Sequence, residues 1–230
     1  MELEEGWGAM AAVAGPDQKS SAPWEDQELS LLAGFFRTLR EVLFRPGEFF
    51  ENLGREGWAE PLAFALIVSS VGLLGAIFWQ LLVLAPAGGN LGDAAGLLPF
   101  GDLGPGWLMA LMAASPVLAL ANLGAGGICW WGSVALMGAG RDFTPAWRIF
   151  CYAQGGMALA LIPFFGMLVA GIWVLALLYC GVKQVYGISA GASLGALAIF
   201  LTLQGALALS LILGLAATLA LLGFLLLLLG

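Results

Sequence analysis

The sequence predicts an all-α, polytopic helical membrane protein with about five transmembrane helices and an N-terminal amphipathic interfacial helix. Composition is the first reason: hydrophobic residues make up 61% of the chain and charged residues 10%, whereas soluble domains have about 45–50% and about 25%. The second is a mean hydropathy of +0.96 over 230 residues. The third is that long uncharged stretches fill most of the chain after residue 60. Helices with so little charge are stable where lipid replaces water.

The charged residues are concentrated in the N-terminal quarter of the chain. Residues 1–28 carry seven acidic residues and one lysine, and residues 29–60 carry five acidic residues and four arginines. Residues 61–230 hold only three acidic and three basic residues, so the formal net charge of −7 belongs to the N-terminal region. Nucleic acid is not expected as a partner, because its binding requires clustered lysine and arginine.

Residues 1–28 are predicted to be a disordered acidic cytoplasmic tail, either inert or a partner-binding arm. Acidic residues at positions 2, 4 and 5 are the opposite of the basic start of a secretory signal. Residues 29–60 are predicted to be an amphipathic juxtamembrane segment that breaks at Pro46. Apolar residues recur there at steps of three and four, namely Leu32, Phe35, Phe36, Leu39, Val42 and Leu43. Arg37 and Arg40 fall on the other side of the helix. This pattern is expected of a helix that lies in the headgroup layer, of one that packs on the cytoplasmic ends of the bundle, or of one that does both.

Residues 61–230 are predicted to form the transmembrane domain. Its spans are expected at about 61–85, 107–137, 146–162, 164–182 and 191–213. The third is short and contains Gln154, Gly155 and Gly156, so it is expected to tilt, to thin the bilayer or to fall short of crossing it. Residues 214–230 are undetermined. Either the fifth helix breaks near Gly205 or Gly214 and a sixth segment returns, or one long helix projects.

Two prolines and the cations organise this domain. Pro163 lacks an amide hydrogen, so the uncharged stretch between Arg148 and Lys183 is predicted to be a helical hairpin with both cations at one end. Pro116 is predicted to kink the second span. The arginines and lysines all fall on one side of the predicted topology, so the positive-inside rule predicts a cytoplasmic N-terminus.

No catalytic, cofactor-binding or metal site is predicted. The sequence has no histidine, so it offers no imidazole base or ligand. Cys129, Cys151 and Cys180 have no CxxC spacing and are interpreted as small apolar packing residues. Asp93 and Asp102 fall in a loop rather than in spans, and there is no phosphate-binding GxxxxGK[ST] motif. We therefore expect a non-enzymatic protein without a cofactor.

The candidate functional positions are small or polar residues in or beside spans. Gly187, Gly191 and Gly195 recur every four residues, which favours close helix contact, as do Ala125, Gly126 and Gly127 in the second span. Gln154 and Asn122 are interpreted either as interhelical hydrogen-bonding groups or as the lining of a polar path. The candidate positions are thus Gln154, Asn122, Pro163, Gly187, Gly191 and Gly195.

Several runs of residues resemble bacterial members of the Yip (Rab/Ypt-interacting protein) family. They are Leu43-Phe44-Arg45-Pro46-Gly47-Glu48-Phe49-Phe50, Tyr152-Ala153-Gln154-Gly155 with Ile162-Pro163-Phe164-Phe165-Gly166, and Gly171-Ile172-Trp173 with Gly181-Val182-Lys183-Gln184-Val185-Tyr186-Gly187-Ile188-Ser189. The likeness covers about residues 37–213 and implies a five-span membrane protein. Eukaryotic relatives bind Rab-type GTPases and shape or traffic membranes. Asp102-Leu103-Gly104-Pro105-Gly106 is similar to a eukaryotic motif but precedes the second span instead of the first, so no GTPase-binding residue is carried over.

These observations predict a non-enzymatic Yip-family protein that organises membranes, or scaffolds them in a trafficking-like way, through helix contacts and cytosolic partners. The expected partners are the lipid bilayer and other membrane proteins, including copies of the same chain. The expected location is a bacterial inner (plasma) membrane. The alternative is a transporter or permease subunit, for which Gln154, Pro116 and Pro163 would provide a polar and irregular pathway.

Overall fold

The computed structural model describes residues 22–26, 28–84 and 105–229, and within these ranges all regular structure is helical. The elements are an N-terminal 3-10 helix Pro23–Glu25, α1 Leu31–Phe44, α2 Pro46–Glu51, α3 Ala59–Leu84, α4 Pro105–Leu136, α5 Phe143–Ala153, a central 3-10 helix Gln154–Leu161, α6 Gly166–Tyr186 and α7 Ala190–Leu229. Among the described residues, four helices contain stretches long and apolar enough to cross a membrane, at Ala59–Trp79, Met112–Leu136, Gly166–Tyr186 and Ala190–Gly214. The predicted class of polytopic helical membrane protein is confirmed.

The third predicted span, 146–162, differs from the other four because it is not a single helix. α5 changes into the central 3-10 helix at Gln154. Together the two elements would extend about 33 Å, at about 1.5 and 2.0 Å per residue. Glycines at the change make the close packing feasible, since a Cβ on Gly155 would lie 3.0 Å from Val42 and one on Gly156 would lie 3.1 Å from the backbone nitrogen of Val174. Whether this composite segment makes a fifth crossing stays a prediction.

α5 is the centre of the bundle. All nine of its residues from Pro145 to Ala153 are buried, and α3, α4 and α6 each pack against it. Gly126 and Gly127 of α4 allow this packing, because a Cβ on Gly126 would lie 2.6 Å from the ring of Phe150 and one on Gly127 would overlap the ring of Trp147. The smooth α4 surface that the sequence predicted is therefore a real helix contact. α4 continues as a helix through Pro116.

The chain reverses direction between the central 3-10 helix and α6, as Pro163 predicted. Trp79 Nε1 donates a hydrogen bond of 2.9 Å to the Leu161 carbonyl, so the turn lies beside the C-terminal part of α3. Phe164 adopts a left-handed backbone with φ of 63°. Gly166 completes the turn at a place without room for a side chain, because a Cβ would lie 2.8 Å from the carbonyl oxygens of Leu159 and Ala160.

Cationic residues gather at the opposite end, where α3 begins. Arg55 Nη2 donates to the Val185 carbonyl at 3.2 Å, which satisfies one of the last carbonyls of α6. Arg148 donates to the carbonyls of Glu56 and Gly57. Lys183 lies in the last turn of α6. We call this the basic end of the bundle. The prediction that Arg148 and Lys183 share one end of the hairpin is confirmed.

Gly187 is the C-cap of α6 and not part of a contact stripe on the last helix. Its φ is +64° and its amide donates to the Lys183 carbonyl. A Cβ on Gly187 would meet nothing within 4 Å, so the glycine serves backbone conformation alone. Replacing Gly187 with Ala should lower the free energy of unfolding by about 1–2 kcal/mol, measured by denaturant titration in mixed micelles. Gly191→Ala, in the regular helix α7 with open space around it, is the control; an equal effect of the two changes would contradict this assignment.

α7 is one 40-residue helix. It is about 60 Å long at about 1.5 Å per residue. The helix continues through Gly205 and Gly214, so of the two alternatives left open for residues 214–230 the structure shows one long helix. Its first half packs on α4 and α6 through residues such as Ala196 and Phe200.

Candidate functional site at the basic end

A short N-terminal segment, Ala22–Asp26, lies over the basic end, and we call this segment the cover. The prediction of a disordered tail over residues 1–28 differs from the structure here, while residues 1–21 and 27 lie outside the described ranges. The physical reason is Trp24. Its backbone amide donates to Thr38 Oγ1 at 2.8 Å and its Nε1 donates to the Glu60 carbonyl at 2.8 Å. Its ring packs against those of Phe35 and Phe64.

The cover brings Glu25 onto Arg148, a side chain that is only 1% exposed. Arg148 Nη2 lies 2.7 Å from Glu25 Oε1 and 3.0 Å from Oε2. The Tyr152 hydroxyl donates to Glu25 Oε1 at 2.6 Å. Arg148 and Tyr152 lie one turn apart on α5, which places them on the same face. We call the Arg148 guanidinium and the Tyr152 hydroxyl together the α5 socket; Glu25 is its occupant.

The socket is polar, buried and incompletely satisfied. Arg148 Nη1 is engaged by the carbonyls of Glu56 and Gly57, and Nη2 by Glu25. Arg148 Nε is buried and has no hydrogen-bond partner among the described residues. A guanidinium binds carboxylate or phosphate most strongly through two parallel N–H groups. Glu25 places both of its oxygens on Nη2, so the edge formed by Nε and Nη2 is only half used.

α1 has a buried face of small residues and an exposed apolar face. The face toward the bundle is a stripe of Gly34, Thr38 and Val42, all buried. The outward face carries Leu32, Phe36 and Phe44, which are 73%, 62% and 78% exposed. The predicted amphipathic helix is confirmed, but its apolar residues are divided between bundle and surroundings.

The arginines lie beside the outward face of α1. Arg37, Arg40 and Arg45 line one open groove together with Glu41 and Phe44. Arg37 pairs with Glu41 at 3.1 Å and Arg45 with Glu48 at 3.7 Å. These pairs are mostly exposed and therefore contribute little stability. Exposed phenylalanine next to exposed arginine is the pattern expected of a helix at the level of lipid headgroups.

The two amides of the polar-path interpretation have different environments. Gln154 is 5% exposed, and its Nε2 makes a long 3.5 Å hydrogen bond to the Phe150 carbonyl one turn earlier. Asn122 is exposed on the outer surface of α4. Gln154 is thus inside the bundle and Asn122 on its surface, and a polar path through both stays a prediction. Pro163 lies in the exposed turn at the other end of the bundle.

Of the three glycines predicted to form a stripe, only Gly195 meets a neighbour. A Cβ there would lie 2.8 Å from Met137 Cε, whereas at Gly187 and Gly191 it would meet nothing within 4 Å. The tightest contacts with backbone occur elsewhere, where Gly72 of α3 faces the Met157 carbonyl. Within the chain, the regular spacing of these glycines therefore does not mark the closest backbone approach, and contact of the stripe with another chain stays a prediction.

The cysteines are free thiols, and Cys151 is fully buried in α5. Within the described ranges, no group of three or more histidine, cysteine, aspartate or glutamate side chains is placed to hold a metal ion.

Comparison with known proteins identifies one family. The family model described as "Yip1 domain" matches residues 40–212, which run from the C-terminal part of α1 into α7. Searches of curated proteins and of solved structures each gave no match. The match includes Arg148 and Tyr152 of the socket, whereas its occupant, Glu25, lies before it.

Proposed function

Because the chain belongs to the Yip1 family, we propose that it is a non-enzymatic membrane protein that organises membranes by gathering partners at its basic end. The proposed partners are other membrane proteins, or copies of the same chain, together with cytosolic proteins. The proposed location is a bacterial inner membrane with the N-terminus in the cytoplasm, since cations favour the cytoplasmic side.

The outward face of α1 is the observation that carries this proposal. Phe36 and Phe44 are large, apolar and exposed, and α1 is fixed to the bundle by its opposite stripe. A rigidly held face with aromatic and arginine side chains has the composition of interaction hot spots. Anchoring of α1 by Val42 on Gly155 further ties this face to the junction between α5 and the central 3-10 helix.

Photo-cross-linking in native membranes tests the proposal. A benzophenone amino acid placed at Phe44 should give discrete protein adducts. The matched control is the same substitution at Phe164, which is equally exposed (77% against 78%) but lies at the other end of the bundle. Because only the basic end is proposed to gather partners, Phe164 should give lipid adducts alone. Equal protein cross-linking from both positions, or none from Phe44 with the chain strictly monomeric, would refute the proposal.

A further inference from the structure

We propose that the α5 socket is a binding site for the phosphate of an anionic phospholipid headgroup, and that Glu25 occupies it as a displaceable internal anion. The chain then has two states at its basic end. In one, the segment Ala22–Asp26 is closed and Glu25 fills the socket. In the other, the segment is lifted and a lipid phosphate takes the place of the carboxylate.

The donors of the socket suit a phosphate better than the carboxylate they now hold. Two donors one turn apart on α5 converge on a single anion, at 2.6 to 3.0 Å. Arg148 Nε remains buried without a partner among the described residues. A phosphate offers more acceptor oxygens than a carboxylate and can span the Nε and Nη2 edge of a guanidinium. Replacing Glu25 by phosphate would therefore satisfy a buried donor that is now unpaired.

The depth of the socket indicates where the phosphate comes from. Arg148 is hydrogen-bonded to Glu56 and Gly57, and α3 enters its apolar stretch at Ala59. Trp147 Nε1 donates to the Trp58 carbonyl at the same level. Tryptophan and arginine at the start of a span mark the interface where lipid phosphates lie.

The cover is small enough to be displaced. The N-terminal 3-10 helix has three residues, and the Glu25 side chain retains 12% exposure. The cover fits only because position 34 is glycine, since a Cβ there would lie 2.7 Å from the Pro23 carbonyl oxygen. Carboxylate and phosphate compete for the same donors, so lipid binding and closure must oppose each other.

A cysteine at position 22 reports the state of the cover. Ala22 is 4% exposed, so in a chain whose native cysteines are replaced by alanine, Ala22→Cys should react slowly with a maleimide when the cover is closed. The chain is placed in nanodiscs of phosphatidylcholine or of phosphatidylglycerol. Rates are divided by those of a separate Glu28→Cys reporter, which is exposed, to remove the effect of surface charge. Phosphatidylglycerol should raise the normalised rate by about tenfold, which corresponds to about 1.4 kcal/mol.

Two variants of the Ala22→Cys chain should open the cover whichever headgroup the nanodisc contains. Glu25→Gln removes the internal anion, and Gly34→Ala pushes on Pro23 while leaving the socket intact; both should react fast in either lipid. Matched controls are Glu51→Gln, an exposed glutamate of α2, and Gly132→Ala, where a Cβ would meet nothing within 4 Å. Both controls should behave like the parent chain. A parent rate that does not depend on the headgroup would overturn the proposal.

Lipid retention measured by native mass spectrometry locates the binding site. The Gly34→Ala chain should retain more phosphatidylglycerol than the parent. Adding Tyr152→Phe should reduce that retention by about tenfold, the effect of one hydrogen bond to a charged group. Unchanged retention would place the lipid outside the socket and overturn the proposal. Inorganic phosphate is the soluble ligand used for comparison. If phosphate alone opens the cover of the parent chain, the socket is a site for a soluble anion, which contradicts a lipid site.

Discussion

Replacement of Arg148 by Met should lower the free energy of unfolding by about 3–5 kcal/mol, the cost of removing one partner from a buried ion pair. Methionine replaces the aliphatic part of the arginine side chain and removes the guanidinium, so the loss includes its hydrogen bonds and its charge. The carbonyls of Glu56 and Gly57 and the carboxylate of Glu25 would each lose an interaction with a side chain that is almost fully buried. Denaturant titration in mixed micelles measures this quantity.

Arg37→Met provides the control for Arg148→Met. Arg37 is 63% exposed and pairs with Glu41 on the surface of α1, so its loss should cost within about 1 kcal/mol. A double-mutant cycle of Arg148→Met with Glu25→Gln should give a coupling of about 0.5–3 kcal/mol, as is typical of residues in one network. If the two single effects simply add, or if Arg148→Met is as mild as Arg37→Met, the buried pair does not contribute as the geometry indicates.

The long helices were predictable because lipid imposes a simple rule. A span must be long and nearly free of charge, and the sequence satisfies this at α3, α4, α6 and α7. Their observed ends differ from the predicted ones by a few residues, except at the C-terminus of α7. A continuous apolar run contains no signal that fixes where a helix stops, and glycines such as Gly214 are tolerated inside apolar helices.

The central 3-10 helix was not predictable from hydropathy. Mean hydropathy is the same for an α-helix and a 3-10 helix of one composition, and a 3-10 stretch of this length is uncommon. Its formation depends on neighbours, because Gly72 of α3 and Val174 of α6 approach its backbone from two sides. Gly155 and Gly156 were the only local signals, and they indicated an irregularity without specifying its type.

The site at the basic end was missed for a different reason. Arg148 and Glu25 are separated by 123 positions, and an acidic stretch before an amphipathic helix is typical of a solvated tail. Trp24, a large aromatic among polar residues, was the one signal that this stretch packs. Similarly, the inward stripe of α1 consists of Gly34, Thr38 and Val42. Apolar periodicity alone could not identify it, since lipid also accepts apolar residues on the outward face.

Replacing Gly72 with Ala should be the most costly of the glycine substitutions in α3, at about 1–3 kcal/mol for overpacking. The added Cβ would overlap the Met157 carbonyl group, which belongs to the backbone of the central 3-10 helix and cannot rotate away. Gly75→Ala meets only Leu161 Cδ2, at 2.6 Å, and this flexible side chain can move, so its cost should be smaller. Gly124→Ala, in open space on α4, should be neutral or stabilising by up to about 1 kcal/mol through helix propensity.

The order of these three effects tests whether the central 3-10 helix is held by α3. Denaturant titration of each variant under the same micelle conditions gives the comparison. The substitution Leu161→Cys adds a local readout, because only Gly72→Ala should loosen the turn and raise the maleimide reactivity of this cysteine. Separation from α3 removes the packing that supports the tighter helix, so the segment is then free to adopt ordinary α-helical geometry and shorten by about 4 Å over its eight residues. If Gly72→Ala is no more destabilising than Gly124→Ala, α3 does not approach the backbone of this segment, and the 3-10 geometry must have another cause.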